Sequence, residues 1–159
     1  MNTIITGRNI VKTFGTDAEQ MRVLDGVSVK IEKGEFAAVM GPSGSGKSTL
    51  LFALSGMDSI TSGSVMFGDT ELSSLRENER ADVRRTRMGF IFQQPTMLKN
   101  LNLLDNIILP AAQGGKRDRD KLTKKAMNLM EKTGIGGLEN REITEVSGGQ
   151  LQRPASAAP

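Results

Sequence analysis

Phe36-Ala37-Ala38-Val39-Met40-Gly41-Pro42-Ser43-Gly44-Ser45-Gly46-Lys47-Ser48-Thr49-Leu50-Leu51 decides the reading of this chain. Its first five residues form a continuous apolar run, which predicts a strand covered on both faces. Gly41 to Gly46 is a glycine- and serine-rich loop, Ser48 to Leu54 reads as a helix, and Gly56 supplies its stop. The spacing Gly-x-x-x-x-Gly-Lys-Ser has a physical logic. Glycines let backbone N–H groups turn inward around phosphate oxygens without side-chain clash. The helix that follows points its positive end at the same anion. Lys47 then reaches the β- and γ-phosphates, and the Ser48 hydroxyl becomes a magnesium ligand. A flexible loop with an accidental Gly-Lys-Ser is the competing reading. It leaves unexplained the strand before the loop and the helix after it. The candidate nucleotide-binding residues are therefore Gly41, Ser43, Gly44, Ser45, Gly46, Lys47, Ser48 and Thr49.

Upstream, Thr3 to Phe14 mixes Ile, Val and polar residues and reads as a strand. Met21 to Ile31 alternates apolar positions, with Asp25-Gly26 marking a turn or bulge. Lys33-Gly34 is a turn. Downstream, Thr61-Ser62-Gly63 predicts a turn and Ser64 to Phe67 a short strand. Arg76 to Arg87 predicts a charged helix and Met88 to Phe92 a second apolar strand, ended by Gln93-Gln94-Pro95. Leu103 to Ala112 is helix-like despite Pro110. Asp120 to Lys132 places Leu122, Ala126, Leu129 and Met130 on one helical face, and Gly134 to Gly137 breaks it. The order predicts an α/β nucleotide-binding plan with an appended helical region.

At 159 residues, 37% hydrophobic and 25% charged, the chain fits one globular domain with a sizeable core. Its net charge of +3 is spread along the sequence, and the basic stretches 80–87 and 116–125 read as solvated helix faces. Six Phe, with no Tyr or Trp, argue against a base-stacking platform, so no nucleic-acid partner is expected. The absence of cysteine excludes disulfides and is compatible with a reducing compartment. No signal-peptide pattern opens the chain and no apolar run is long enough to span a bilayer, so a membrane role would come through a partner.

Two further segments narrow the field. Val146-Ser147-Gly148-Gly149-Gln150-Leu151-Gln152-Arg153 resembles the signature motif of ABC ATPases, and Phe90-Ile91-Phe92-Gln93-Gln94-Pro95 resembles their Q-loop. With the phosphate loop, in that order, the chain resembles an ABC transporter ATP-binding subunit from about Thr3 to Arg153. Leu24-Asp25-Gly26-Val27-Ser28 and 40–51 look most like the branch serving lipoprotein-release and macrolide-export permeases. The resemblance implies a P-loop NTPase head with an antiparallel β subdomain and a helical subdomain. It implies ATP and Mg2+ as ligands and an integral membrane permease as partner. It also implies a homodimer, or pairing with a homologous ATPase subunit, and a place on the cytoplasmic face of the membrane. Phe14 matches the aromatic that stacks on adenine, although a core or strand-end Phe explains it too. Gln93 matches the glutamine that approaches magnesium and the attacking water, with Gln94 as its neighbour and a surface amide as the plainer reading. Ser147, Gly148, Gly149 and Gln150 would act in trans on the partner's ATP. Met97 and Leu98 would face the permease or pack locally. ATPases of DNA repair or translation share this head, but they usually carry long insertions or a second head, and neither is visible here.

After Arg153 the chain reads Pro154-Ala155-Ser156-Ala157-Ala158-Pro159. The family pattern continues instead with a helix, an Asp- and Glu-bearing strand and a switch histidine. Here no acidic residue follows Glu145 and there is no histidine. The expectation is thus a partial head over 1–153, missing later strands of the core that would cover 36–40. It would bind nucleotide weakly without turnover, or serve as a non-enzymatic fragment that associates with an intact subunit. Deleting one G from a stretch encoding Arg-Ala-Ser-Ile-Cys-Arg-Ala yields the ending 153–159, so 154–159 reads as a frameshift product. Sequencing the coding DNA across codon 153 is expected to show, in another frame, a strand ending Asp-Glu followed by a histidine. Finding it in no frame would reject the frameshift.

Overall fold

A computed structural model describes residues 2–16, 19–92, 96–112 and 119–147. The chain divides into two units, Met1–Met88 and Gly89–Pro159.

In the first unit, β1 (Thr3–Phe14), β2 (Met21–Glu32), β3 (Ser62–Phe67) and β4 (Thr70–Glu71) form one sheet in the order β2-β1-β3-β4. All pairings are antiparallel. The expected interruption at Asp25-Gly26 is a bulge: pairing passes from Ile10↔Val27 to Lys12↔Leu24, leaving one extra residue on β2. Helix α1 (Lys47–Leu54) lies against this sheet and buries Ala53 and Leu54 in a core with Ile10, Leu24, Val65, Phe67 and Leu72. Gly7 permits the close approach. A Cβ there would lie 2.5 Å from Ile10 Cδ1 and 3.1 Å from Leu54 Cδ2. Gly56 ends α1 as expected, with its N–H donating to the Ala53 carbonyl at 3.1 Å. At Thr61-Ser62-Gly63 the predicted turn is shorter than expected, because β3 already begins at Ser62 and pairs with Val11.

Helix α2 (Glu77–Arg87) buries no residue fully, although Val83 packs against the core. It is held by charge. Glu77 accepts from Arg80 at 2.7 Å and from Arg84 at 2.6 Å, and Arg84 also donates to the Gly56 carbonyl just past α1. A cation at that point complements the negative end of α1. Arg87 lies 4.9 Å from the Phe67 ring centroid and donates to Thr70 Oγ1 at 3.0 Å.

Two expected strands are corrected. Phe36–Met40 forms no ladder: Phe36 is 96% exposed and Met40 87%. Met88–Phe92 likewise forms none, and Ile91 is 71% exposed. Among the described residues neither segment has a neighbouring strand. An extended apolar run without a partner has neither a hydrogen-bond ladder nor cover for its side chains.

The second unit is a helical hairpin. α3 (Leu103–Ala112) and α4 (Arg119–Lys132) pack through Leu103, Ile107, Ile108, Ala126 and Met130, with Ile135 closing the end. Pro110 falls in the last turn of α3, where it removes one N–H from the helical ladder. Asn106, on α3, donates to the carbonyls of Leu98, Leu101 and Asn102, which fixes the preceding loop. A bridge between Asn102 and Glu142, with hydrogen bonds from the N–H groups of Leu103 and Leu104 to the Arg141 and Glu139 carbonyls, brings 139–142 alongside the start of α3.

Hydrogen bonds from Arg84 and then Arg80 hold the Glu77 carboxyl below its ordinary value of 4.5. A depressed folded-state value means stabilisation that is present above 4.5 and lost as pH falls through the lowered value. Glu77→Gln is therefore expected to flatten the acid limb of the first unit's stability, read by urea unfolding at pH 3 to 7, and to lower stability at pH 7. An unchanged acid limb would reject this role.

Candidate nucleotide-binding site

The phosphate loop is shaped by α1. Gly46 is the N-cap residue at φ 84°, a left-handed geometry that aims the loop across β2. A Cβ at Gly46 would lie 3.1 Å from the Val23 carbonyl oxygen. No side chain caps α1, and its first turn carries no acidic residue. The first N–H groups of the helix therefore meet no built-in carboxylate, and a helix start of this kind favours an anion. Lys47 Nζ donates to the Pro42 carbonyl at 2.6 Å, and Ser45 N–H donates to the same oxygen at 3.3 Å. These contacts close the loop on itself and hold the ammonium at its mouth. Gly41, Ser43, Gly44, Ser45 and Ser48 are exposed, while Gly46, Lys47 and Thr49 are half-buried. The structure thus brings the whole predicted loop set together at one helix start.

Phe14 belongs to the same corner. It pairs with Met21, and Lys12 pairs with Leu24; the Gly46 Cβ position abuts Val23 and Leu24. Along β2, Phe14 is thus about 7 Å from the residues that carry Gly46, and one strand spacing of about 5 Å across. Phe14 is 41% exposed, so it is not a core residue. Beneath it lies a group that the sequence reading passed over. Lys12 is only 8% exposed, and its ammonium sits 4.7 Å from the Phe14 ring centroid. That ammonium donates to Asp58 Oδ1 at 2.8 Å and to the Ser59 carbonyl at 2.6 Å. Strand alternation, which puts residues 12 and 14 on one face, was the available signal. Its partner lies too far along the sequence to be seen.

The remaining predicted site residues belong to the second unit. Gln93 and Gln94 lie outside the described residues, as do Gly148, Gly149 and Gln150. Ser147 is exposed and follows the buried Val146. Of the two residues beyond the Q-loop segment, Met97 packs on the helical core and Leu98 is 49% exposed.

The family model for ABC transporters matches residues 24–158. This chain belongs to the ABC transporter family. Among curated ABC proteins it is 38% identical to the lipoprotein-releasing system ATP-binding protein LolD of Buchnera aphidicola, over 98% of this chain and 68% of that protein. It is 39% identical to the macrolide export ATP-binding/permease protein MacB of Mannheimia succiniciproducens, over 97% of this chain and 24% of that protein. These relatives match the lipoprotein-release and macrolide-export branch. The chain spans between 24% and 68% of the length of the curated relatives it matches. Its fold superposes with a TM-score of 0.91 on the ATP-binding cassette MJ0796 in a dimeric post-hydrolysis state bound to ADP and Pi, at 32% identity over 98% of this chain and 68% of that one. The ABC head accounts for the antiparallel sheet, the phosphate loop on α1 and the helical hairpin. Among the described residues no helix is long and apolar enough to cross a membrane.

Gly46→Ala in this ABC chain would force a side chain into the left-handed region and against the Val23 carbonyl. The expected cost is about 1–3 kcal/mol of stability, read by urea unfolding. A loss below about 0.5 kcal/mol would show that the loop can take another path.

Proposed function

We propose that this chain is the nucleotide-binding part of an ABC transporter ATP-binding subunit, and that Gly41–Ser48 with α1 hold the phosphates of ATP. The uncapped, acid-free start of α1 beneath a closed glycine loop carries the proposal. Lys47 exchanges the Pro42 carbonyl for phosphate oxygens, and backbone N–H groups of 43–49 donate to the same anion. Phe14 stacks on the base. It has no hydroxyl to read the base edge, so stacking favours purines over pyrimidines and separates ATP from GTP poorly. Magnesium, when bound, neutralises phosphate charge. The exposed Ser48 hydroxyl, in the first turn of α1 beside Lys47, fits as one of its oxygen ligands.

In the working assembly, Ser147 to Gln150 serve a second subunit's ATP in trans, Gln93 contacts the metal and the attacking water, and an integral permease receives the movement. The resemblance of 90–95 and 146–153 to the family's motifs supports those roles. Membership of the lipoprotein-release and macrolide-export branch supports a permease partner and a place on the inner face of the membrane. Residues 1–159 taken alone are expected to bind ATP without turnover, because the acidic residue and the histidine that position water in the family pattern are not among them.

Calorimetric titration with ATP and magnesium tests this. The chain is expected to bind, Lys47→Ala to weaken binding at least about tenfold through the lost charged contact, and phosphate release to stay at background. Binding insensitive to Lys47→Ala would reject the site. Turnover abolished by the same substitution would reject the second part.

A further inference from the structure

Lys12 has no part in holding the phosphates, although it is a buried cation, 8% exposed. Burying an ammonium is costly unless it is paired. Here two of its three donors go to Asp58 Oδ1 and the Ser59 carbonyl, and the Phe14 ring face lies 4.7 Å away. Asp58 is itself an appendage of α1, since its N–H donates to the Phe52 carbonyl at 3.2 Å. A second tether runs in parallel: Thr61 N–H donates to the Val11 carbonyl at 2.8 Å, and Thr13 N–H donates to Thr61 Oγ1 at 2.9 Å. The end of β1 is thereby pinned to the chain leaving the helix whose start forms the phosphate loop.

We propose that Lys12, fixed by Asp58 and Ser59, is a positioning residue for the nucleotide base, holding the Phe14 ring from below so that its outer face stacks on a purine. The proposal rests on the nucleotide reading of the site and adds the group that sets the base platform. Two effects combine. The ammonium occupies one ring face, so only the other can take a base. Its charge also draws on the ring's π-density, which makes the open face a better partner for an electron-rich purine. Because Asp58 hangs from α1, the base platform keeps a fixed register with the phosphate loop.

The experiment compares ATP with inorganic tripolyphosphate, both with magnesium, on the full 159-residue chain. Tripolyphosphate uses the loop and not the ring. Phe14→Ala is expected to weaken ATP about tenfold and to leave tripolyphosphate unchanged. Lys12→Met should weaken ATP about threefold, leave tripolyphosphate unchanged, and add nothing to Phe14→Ala in the double variant. Lys12→Arg, which keeps cation and pair, should stay within about twofold of wild type. If Lys12→Met does not fold, Asp58→Asn carries the test. It keeps an oxygen acceptor but removes the charge that pins Lys12, and the same ATP-selective loss is expected. Equal losses for both ligands, no loss for ATP, or full additivity with Phe14→Ala would overturn the positioning role. A wild-type chain that binds neither ligand, or binding that Lys47→Ala does not touch, would instead sink the nucleotide reading and this proposal with it.

Discussion

The site depends on the burial of Ala53 and Leu54 against Ile10, Leu24 and Val65, made possible by the bare backbone of Gly7. That contact fixes α1 on the antiparallel sheet. Everything chemical follows from where α1 begins. Its first turn carries Lys47, Ser48 and Thr49, its N-cap is the left-handed Gly46, and its N–H groups give the loop its affinity for anions. Hydrophobic packing at the C-terminal end of the helix thus sets the electrostatics at its N-terminal end, about 12 Å away for eight residues.

Charge does the joining where apolar surface is scarce. α2 has no fully buried residue, yet Arg84 reaches the Gly56 carbonyl while Glu77 steadies Arg80 and Arg84. Lys12 and Asp58 do the same for the end of β1. Both tethers end on the few residues after α1, so the segment 56–59 is a common anchor for α2 and for the end of β1 that carries Phe14. The two ion groups differ in burial. Glu77 is exposed and answers to salt and acid, whereas the Lys12 ammonium is shielded and keeps its geometry.

Local chemistry was legible in the sequence and tertiary cover was not. The phosphate loop, the bulge at Asp25-Gly26, the stop at Gly56 and the amphipathic face of α4 are written in short-range patterns, and the structure has each of them. Phe36–Met40 and Met88–Phe92 read as buried strands from composition, because five apolar residues in a row carry no sign of whether a partner strand exists. The Lys12–Asp58 pair escaped for a related reason. A lysine in a strand reads as solvent-facing by default, and its acceptor is 46 residues further on.

The unpaired run 36–40 bears directly on how the site works. The loop has two ends. One is fixed through Gly46 to β2 and through α1 to the core; the other emerges from Phe36–Met40, which is exposed and carries no ladder. A loop anchored at one end must be ordered when a phosphate enters, and each residue fixed costs about 1–2 kcal/mol of backbone entropy. The internal bonds to the Pro42 carbonyl offset part of that cost by holding Ser45 and Lys47 near their working positions beforehand. If the loop holds phosphate as proposed, its affinity depends on how firmly the segment 36–40 is held as well as on the donors around the anion. On the proposed nucleotide site, cover on Phe36 and Met40 would tighten binding by lowering the ordering cost, without adding a contact to the ligand.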